Sequence, residues 1–287
     1  MSVYTPFGQA VSSGDFYIPP APYGASDVEF TARMSTGGIQ TATINTSGKI
    51  GLVLFDGAEG QRVSLKITGV TVGSSVCCSM KVWIVGPAGT NVVPPTWVGT
   101  TGGFIDTVTL PTAGTYTIVT DPEDTATGSA TLTLYDVPAD PAPGMTPGGP
   151  AATVSISTPG QNARPAFTGS AGQRVSLKLT GVTVANSFST GPQNACCSLK
   201  VSILKPDGST LVGPATLGTV GGFIDTVTLP TAGMYTILVD PVSDGTGSAT
   251  LTLYDVPADP APGMTPGGPA ATVSISTPGQ NARLTFT

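Results

Sequence analysis

The sequence predicts an all-β chain of two tandem antiparallel β-sandwich modules followed by a truncated third repeat, and three observations predict it. The stretch Thr127 to Arg164, TGSATLTLYDVPADPAPGMTPGGPAATVSISTPGQNAR, recurs without a change from Thr246 to Arg283. Its period of 119 residues is the size of a whole domain and too long for a solenoid unit. Within each period, short runs of alternating apolar and hydroxylic residues are separated by turn residues, which is the pattern of a sandwich. Only 10% of residues are charged, against roughly 25% in ordinary soluble proteins, and no segment has sustained helical periodicity.

Residues 1 to 26 match neither repeat, and Tyr17 to Gly24 reads as an extended Pro-rich lead rather than a core element, favoured as a linker or the tail of a preceding domain, with packing of its aromatic residues on the first module as the alternative. The first module is expected over 27 to 136, beginning in a degraded copy of the repeated text. The second spans 137 to 255 with its leading linker and hairpin, and 256 to 287 holds a linker and the first strands of an incomplete third, for which disorder is the favoured expectation and folding back on the second module or completing the sheet of another molecule are the alternatives. In the second module the strands fall at Thr153 to Ser157, Arg164 to Thr168, Gln173 to Thr180, Cys196 to Leu204, weakly near Leu211, Phe223 to Leu229, Met234 to Asp240 and Ser248 to Tyr254. Side chains alternate between faces of a strand, so Val175, Leu177 and Leu179 point inward and Arg174, Ser176 and Lys178 outward. Leu199, Val201 and Ile203, and Tyr235, Ile237 and Val239, line the same core, as do Val63, Leu65, Ile67, Met80, Val82, Ile84, Tyr116 and Ile118 in the first module. Asp136 to Pro150 contains five prolines and three glycines and predicts an extended segment to about Thr146, then a tight turn at Pro147 to Pro150. Between GVTV and the paired cysteines the first module has Gly73 to Val76, and the second an eleven-residue loop, Ala185 to Ala195, where differences in binding would lie.

Composition excludes several function classes. The chain has no histidine, so no Ser/His/Asp or Cys/His triad, HExxH zinc site or imidazole base is available. Lys and Arg total 11, never clustered, with net charge -6, which argues against nucleic acid, since phosphate binding needs a basic face. No apolar run approaches the ~20 residues of a membrane span, and the first residues lack the basic and apolar regions of a signal peptide. Export is therefore expected either as a piece of a longer exported protein or without an ordinary signal.

The motif order GQRVSLKLTGVT, CCSLKVSILKPDGSTL, GGFIDTVTLPTAGMYTILVDP, TGSATLTLYDV resembles the bacterial pre-peptidase C-terminal (PPC) family, and more closely the PPC-like repeats of large surface and RHS-type proteins. The resemblance covers roughly residues 27 to 255, and its most specific phrase is LPTAGxYTI at Leu110 to Ile118 and Leu229 to Ile237. The Tyr of that phrase can fill the core and bond nearby backbone. The resemblance implies a jelly-roll-like sandwich, an extracellular or cell-surface location and an auxiliary, non-catalytic role. The function expected is a spacer or adhesive stalk of a bacterial surface protein, whose partners are neighbouring modules of the same or identical chains. The alternatives are a filament subunit assembling by β-strand complementation, and a module of a secreted hydrolase that binds a polysaccharide or matrix protein.

Candidate sites are few. Cys77-Cys78 and Cys196-Cys197 stand at predicted strand starts, with Cys78 and Cys197 inward and Cys77 and Cys196 outward by parity. One buried and one surface thiol per module is the expectation, a neighbouring-residue disulfide the strained alternative, and zinc lacks further ligands. Asp121, Glu123 and Asp124 share one loop and Asp240 and Asp244 lie on its counterpart, oxygen donors of the kind calcium takes. Some PPC-type domains bind calcium near their linkers; solvated, turn-forming acids are the other reading, which leaves no cofactor. Asp136, Asp140, Asp255 and Asp259 flank the linkers. Parity places Asp106 and Asp225 on the face of Phe223, Val227 and Leu229, which a bulge would explain. A paired-carboxylate glycosidase finds no marked pair of acids, and Trp83 and Trp97 both fall in the first module.

Overall fold

The computed structural model describes residues 2–5, 8–11, 14–73, 75–189 and 192–286. The chain divides into two compact units, Met1–Pro138 and Ala139–Thr287. In the first unit the strands are β1 (Ser2–Thr5), β2 (Gly8–Val11), β3 (Val28–Arg33), β4 (Ile39–Ile44), β5 (Ile50–Gly57), β6 (Arg62–Thr68), β7 (Met80–Val85), β8 (Asn91–Val98), β9 (Gly103–Thr109), β10 (Gly114–Pro122) and β11 (Gly128–Asp136). A five-stranded sheet runs β3-β5-β10-β7-β8, a four-stranded one β4-β11-β6-β9, and β1 pairs with β2.

The second unit repeats this plan. Its strands are β12 (Gly144–Met145), β13 (Ala152–Ile156), β14 (Ala166–Gly169), β15 (Arg174–Thr180), β16 (Leu199–Leu204), β17 (Thr210–Leu217), β18 (Gly222–Thr228), β19 (Gly233–Pro241), β20 (Gly247–Asp255), β21 (Gly263–Met264) and β22 (Thr285–Phe286), with a short helix α1 (Pro192–Cys197). The sheets run β12-β14-β19-β16-β17 and β13-β20-β15-β18. Pairing is antiparallel except at β3–β5, β12–β14 and the small β21–β22 pair. Each unit is therefore a two-sheet sandwich of nine main strands, and the all-β expectation holds.

Each unit closes on its own core. Phe55 stacks on Tyr116 in the first and Phe167 on Tyr235 in the second, ring centroids 5.3 and 5.4 Å apart. Both tyrosines are fully buried, and their hydroxyls donate to Thr112 O and Thr231 O at 2.6 Å. The LPTAGxYTI phrase thus encodes a buried ring that satisfies its own polar tip four residues upstream, as buried polar groups require. The inward positions assigned by parity on β6, β15, β16 and β19 are buried.

Four local expectations are corrected. Cys196 and Cys197 lie in α1 and the strand starts at Leu199, because the longer loop before it closes on itself as a helical turn. All four cysteines are exposed, so neither Cys78 nor Cys197 enters a core. Phe223 is 43% exposed, whereas Ile224 is buried. The cause is a bulge: Val175 pairs with Val227 but Leu177 with Ile224, leaving Asp225 and Thr226 opposite Ser176, and side-chain parity inverts across the extra residue. The same bulge separates Val63–Val108 from Leu65–Ile105 in the first unit.

The Pro-rich lead is also not a bare linker. Its Asp15 carboxylate takes a bond from Arg33 at 2.7 Å, and Tyr17 and Tyr23 pack against Ile50, Leu52, Trp83, Val85 and Val119 on the outer face of the five-stranded sheet.

The fourth correction concerns residues 256 to 286. Thr272 to Ile275 repeats the text of β13 yet forms no strand, and Ile275 is 60% exposed where Ile156 is 1%. β13 pairs with β20, and among the described residues no strand pairs with the copy. Ser276 to Arg283 nevertheless forms a turn whose hydrogen bonds are local or go to β15 and β18.

Candidate functional site

The acids singled out by the sequence do not converge. Asp121, at the end of β10, accepts from Tyr23 Oη at 2.7 Å. Burial pushes its carboxyl above the ordinary range, and the same contact and burial push the Tyr23 phenol up. Glu123 pairs with Lys81 at 3.3 Å, and Asp124 turns the loop with φ 51. In the second unit Asp244 is buried and accepts from Ser187 N at 2.9 Å and Ser187 Oγ at 2.6 Å, tying down the eleven-residue loop. Thr190 and Gly191 of that loop lie outside the described residues. Asp240 sits on β19 opposite Lys200. Among the described residues no three His, Cys, Asp or Glu side chains gather as a metal cluster.

Asp106 and Asp225 cap the bulges: each carboxylate accepts from the next residue's backbone N–H, at 2.6 and 2.7 Å. Asp140 pairs with Arg164 at 2.9 Å and Asp259 with Arg174 at 2.7 Å, whereas Asp136 and Asp255 accept from Gln61 and Gln173 at 2.8 Å. These acids organise turns and junctions. Cys196 and Cys197 form the neighbouring-residue disulfide, while the sulfurs of Cys77 and Cys78 lie 2.6 Å apart as free thiols. Hydrogen bonds from Cys78 and Ser75 lower the Cys77 thiol, and the Cys77 contact raises Cys78.

What does converge is a groove of about 470 Å³ on the first unit. Its walls are Pro20, Pro22 and Tyr23 of the lead on one side and Trp83, Asn91 and Pro95 of β7 and β8 on the other, with Lys81 and Asp121 in its lining. Tyr23 and Trp83 rings are 6.4 Å apart and tilted by 33°. Next to it, Lys81 Nζ stands 4.2 Å over the ring of Trp97, which is 44% exposed. Trp83 and Trp97 correspond to Ser202 and Thr216, so the second unit lacks these aromatic walls. The sequence places both tryptophans in the first module, and the docking of the lead, which completes the groove, is signalled there only by its aromatic residues.

No protein-family model matches the chain, and no curated protein does. Among solved structures it is similar to the pre-peptidase C-terminal domain of a collagenase from Bacillus anthracis, at 10% identity over 37% of this chain and 95% of that one, TM-score 0.28. It is also similar to the CUB1-EGF-CUB2 domain of human MASP-1/3, at 12% identity over 75% and 99% of the two chains, TM-score 0.23. A third is the M60 catalytic domain with the CBM51-1 and CBM51-2 domains from Clostridium perfringens ZmpB, at 7% identity over 76% and 37%, TM-score 0.22. Scores this low mark loose overlap between β-sandwich structures and carry no argument about what the chain does.

Proposed function

We propose that the chain is a non-catalytic, extracellular tandem-repeat segment serving as a spacer or adhesive stalk of a surface protein. One observation carries this reading: two near-copies of a sequence close two separate cores with the same sheet order. Repeating a folded unit lengthens the chain without requiring a catalytic group. On β15 and β16 the outward positions are Arg174, Ser176, Lys178, Lys200 and Ser202. The surface and extracellular placement rests on the PPC-like motifs and the hydroxyl-rich, weakly charged composition.

The aromatic groove supports a second reading, a polysaccharide-binding module confined to the first unit. Tilted rings, an amide and a carboxyl are the groups that hold a sugar ring by stacking and by hydrogen bonds. A binding screen against immobilised neutral and acidic polysaccharides and matrix proteins separates the two. The spacer reading expects no saturable retention. Saturable retention on a polysaccharide that Trp97→Ala and Tyr23→Ala each weaken at least tenfold would replace it with the second reading.

A further inference from the structure

The bulged β15–β18 strand pair presents a polar surface that is occupied. Because two residues oppose Ser176, the bulge brings the Thr226 hydroxyl out beside the Ser176 hydroxyl. Ser176 Oγ donates to Pro278 O at 2.7 Å and Thr226 Oγ1 to Gly279 O at 2.6 Å. Arg174, one pleat along the same strand, donates from Nη1 to Pro257 O at 3.0 Å and from Nη2 to Asp259 Oδ1 at 2.7 Å. Ser176, on the outward face, is only 1% exposed as a result.

The occupant is a turn built by its own sequence. Gln280 Oε1 accepts from Ser276 N at 2.9 Å, Gln280 Nε2 donates to Ala258 O at 2.9 Å, and Asn281 N donates to Asp259 Oδ1 at 3.2 Å. The earlier copy makes the same bonds: Ser157 N to Gln161 Oε1 at 2.9 Å, Gln161 Nε2 to Ala139 O at 2.8 Å and Asn162 N to Asp140 Oδ1 at 3.2 Å. The earlier copy follows a strand of a sandwich and the later one does not, so the turn does not need that strand to form. Gly279 at its apex has φ 88, and a Cβ there would lie 2.5 Å from Thr226 Oγ1 and 2.9 Å from Ser176 Cβ. Only glycine allows that approach.

We propose that the outer face of this strand pair is a docking site for the opening turn of a following repeat, read through two backbone carbonyls, an apical glycine and the aspartate that Arg174 clamps. The partner is therefore a segment with the text DPAP followed by STPGQNAR, as the next repeat of this array carries it. Recognition falls on backbone atoms of a turn whose own hydrogen bonds set its shape, so docking fixes the turn as a body against the strands and does not have to build it. The site is independent of the spacer reading, since it concerns how a repeat is received and not where the chain works. Residues Arg62, Ser64 and Thr107 stand at the corresponding positions of the first unit's sequence.

The test is backbone ¹⁵N relaxation on the full chain. Gly279, Gln280 and Asn281 are expected to be as ordered as β15 and β20, with order parameters near ~0.85. In Ser176→Ala/Thr226→Val they are expected to fall below ~0.6 while the strand signals keep their positions. Thr226→Ser, which keeps the hydroxyl, should retain the order. Gly279→Ala lies outside the sandwich, so it cannot unfold it, and should release the turn in the same way. Order that survives both the double variant and Gly279→Ala, or that is absent from the unaltered chain, overturns the proposal.

Discussion

Tyr235→Ala is expected to unfold the second unit at temperatures where the first remains folded. The ring is fully buried and stacked on Phe167, and its hydroxyl is bonded within the turn it closes. Removing a buried aromatic ring costs about 3–5 kcal/mol, from the lost burial and from the cavity that the rigid sheets cannot close. A domain of this size has a total stability of about 5–15 kcal/mol. The loss therefore takes a large part of the whole. Tyr235→Phe removes only the hydroxyl bond and should cost about 0.5–1.5 kcal/mol. Calorimetry reads both: with alanine one of two transitions moves down by more than about 10 °C and the other stays. The separation follows from the cores, since Tyr235 and its neighbours belong to one cluster and Tyr116 to another.

Gly247→Ala is expected to destabilise the second unit strongly for so small a substitution. Gly247 opens β20 with φ 142, a conformation side chains rarely take, and a Cβ would sit 2.7 Å from Thr183 C, Thr183 O and Val184 N. These are backbone atoms of the segment after β15, held by Thr183 N donating to Ser248 O at 2.8 Å, so they cannot rotate away. Strain of this kind costs roughly 1–3 kcal/mol before any hydrogen bond is lost. Gly172→Ala is the control, because Gly172 also has positive φ, 82, but has nothing within 4 Å of its Cβ position. Urea midpoints should order the three proteins as unaltered chain, then Gly172→Ala, then Gly247→Ala.

Strands, turns and core were legible in the sequence because period-2 alternation and Gly or Pro punctuation act locally. The bulge was legible only as a contradiction: parity put Asp225 inside, and the structure resolves this by inserting a residue that caps its own kink. Strand parity does not extend back from Leu199 through Cys197 and Cys196, because these belong to a helical turn, nor from Met80 to Cys78 and Cys77, which precede the strand. The metal candidates were grouped by nearness along the chain. In the fold the hydrogen bonds of Asp121 and Asp244 go to Tyr23 and Ser187, far away in sequence. Thr272 to Ile275 could not be read from sequence, since identical residues form a strand at 153 to 156 and none here. What differs is the partner, not the propensity.

The claim that the chain is an array of separately closed sandwiches is tested most directly by pulling on a single full-length molecule. Two unfolding events are predicted, each releasing roughly 340–400 Å of contour at 3.3–3.6 Å per residue. Tyr235→Ala should weaken one of them and leave the other unchanged. A single event that releases both lengths together would contradict the account.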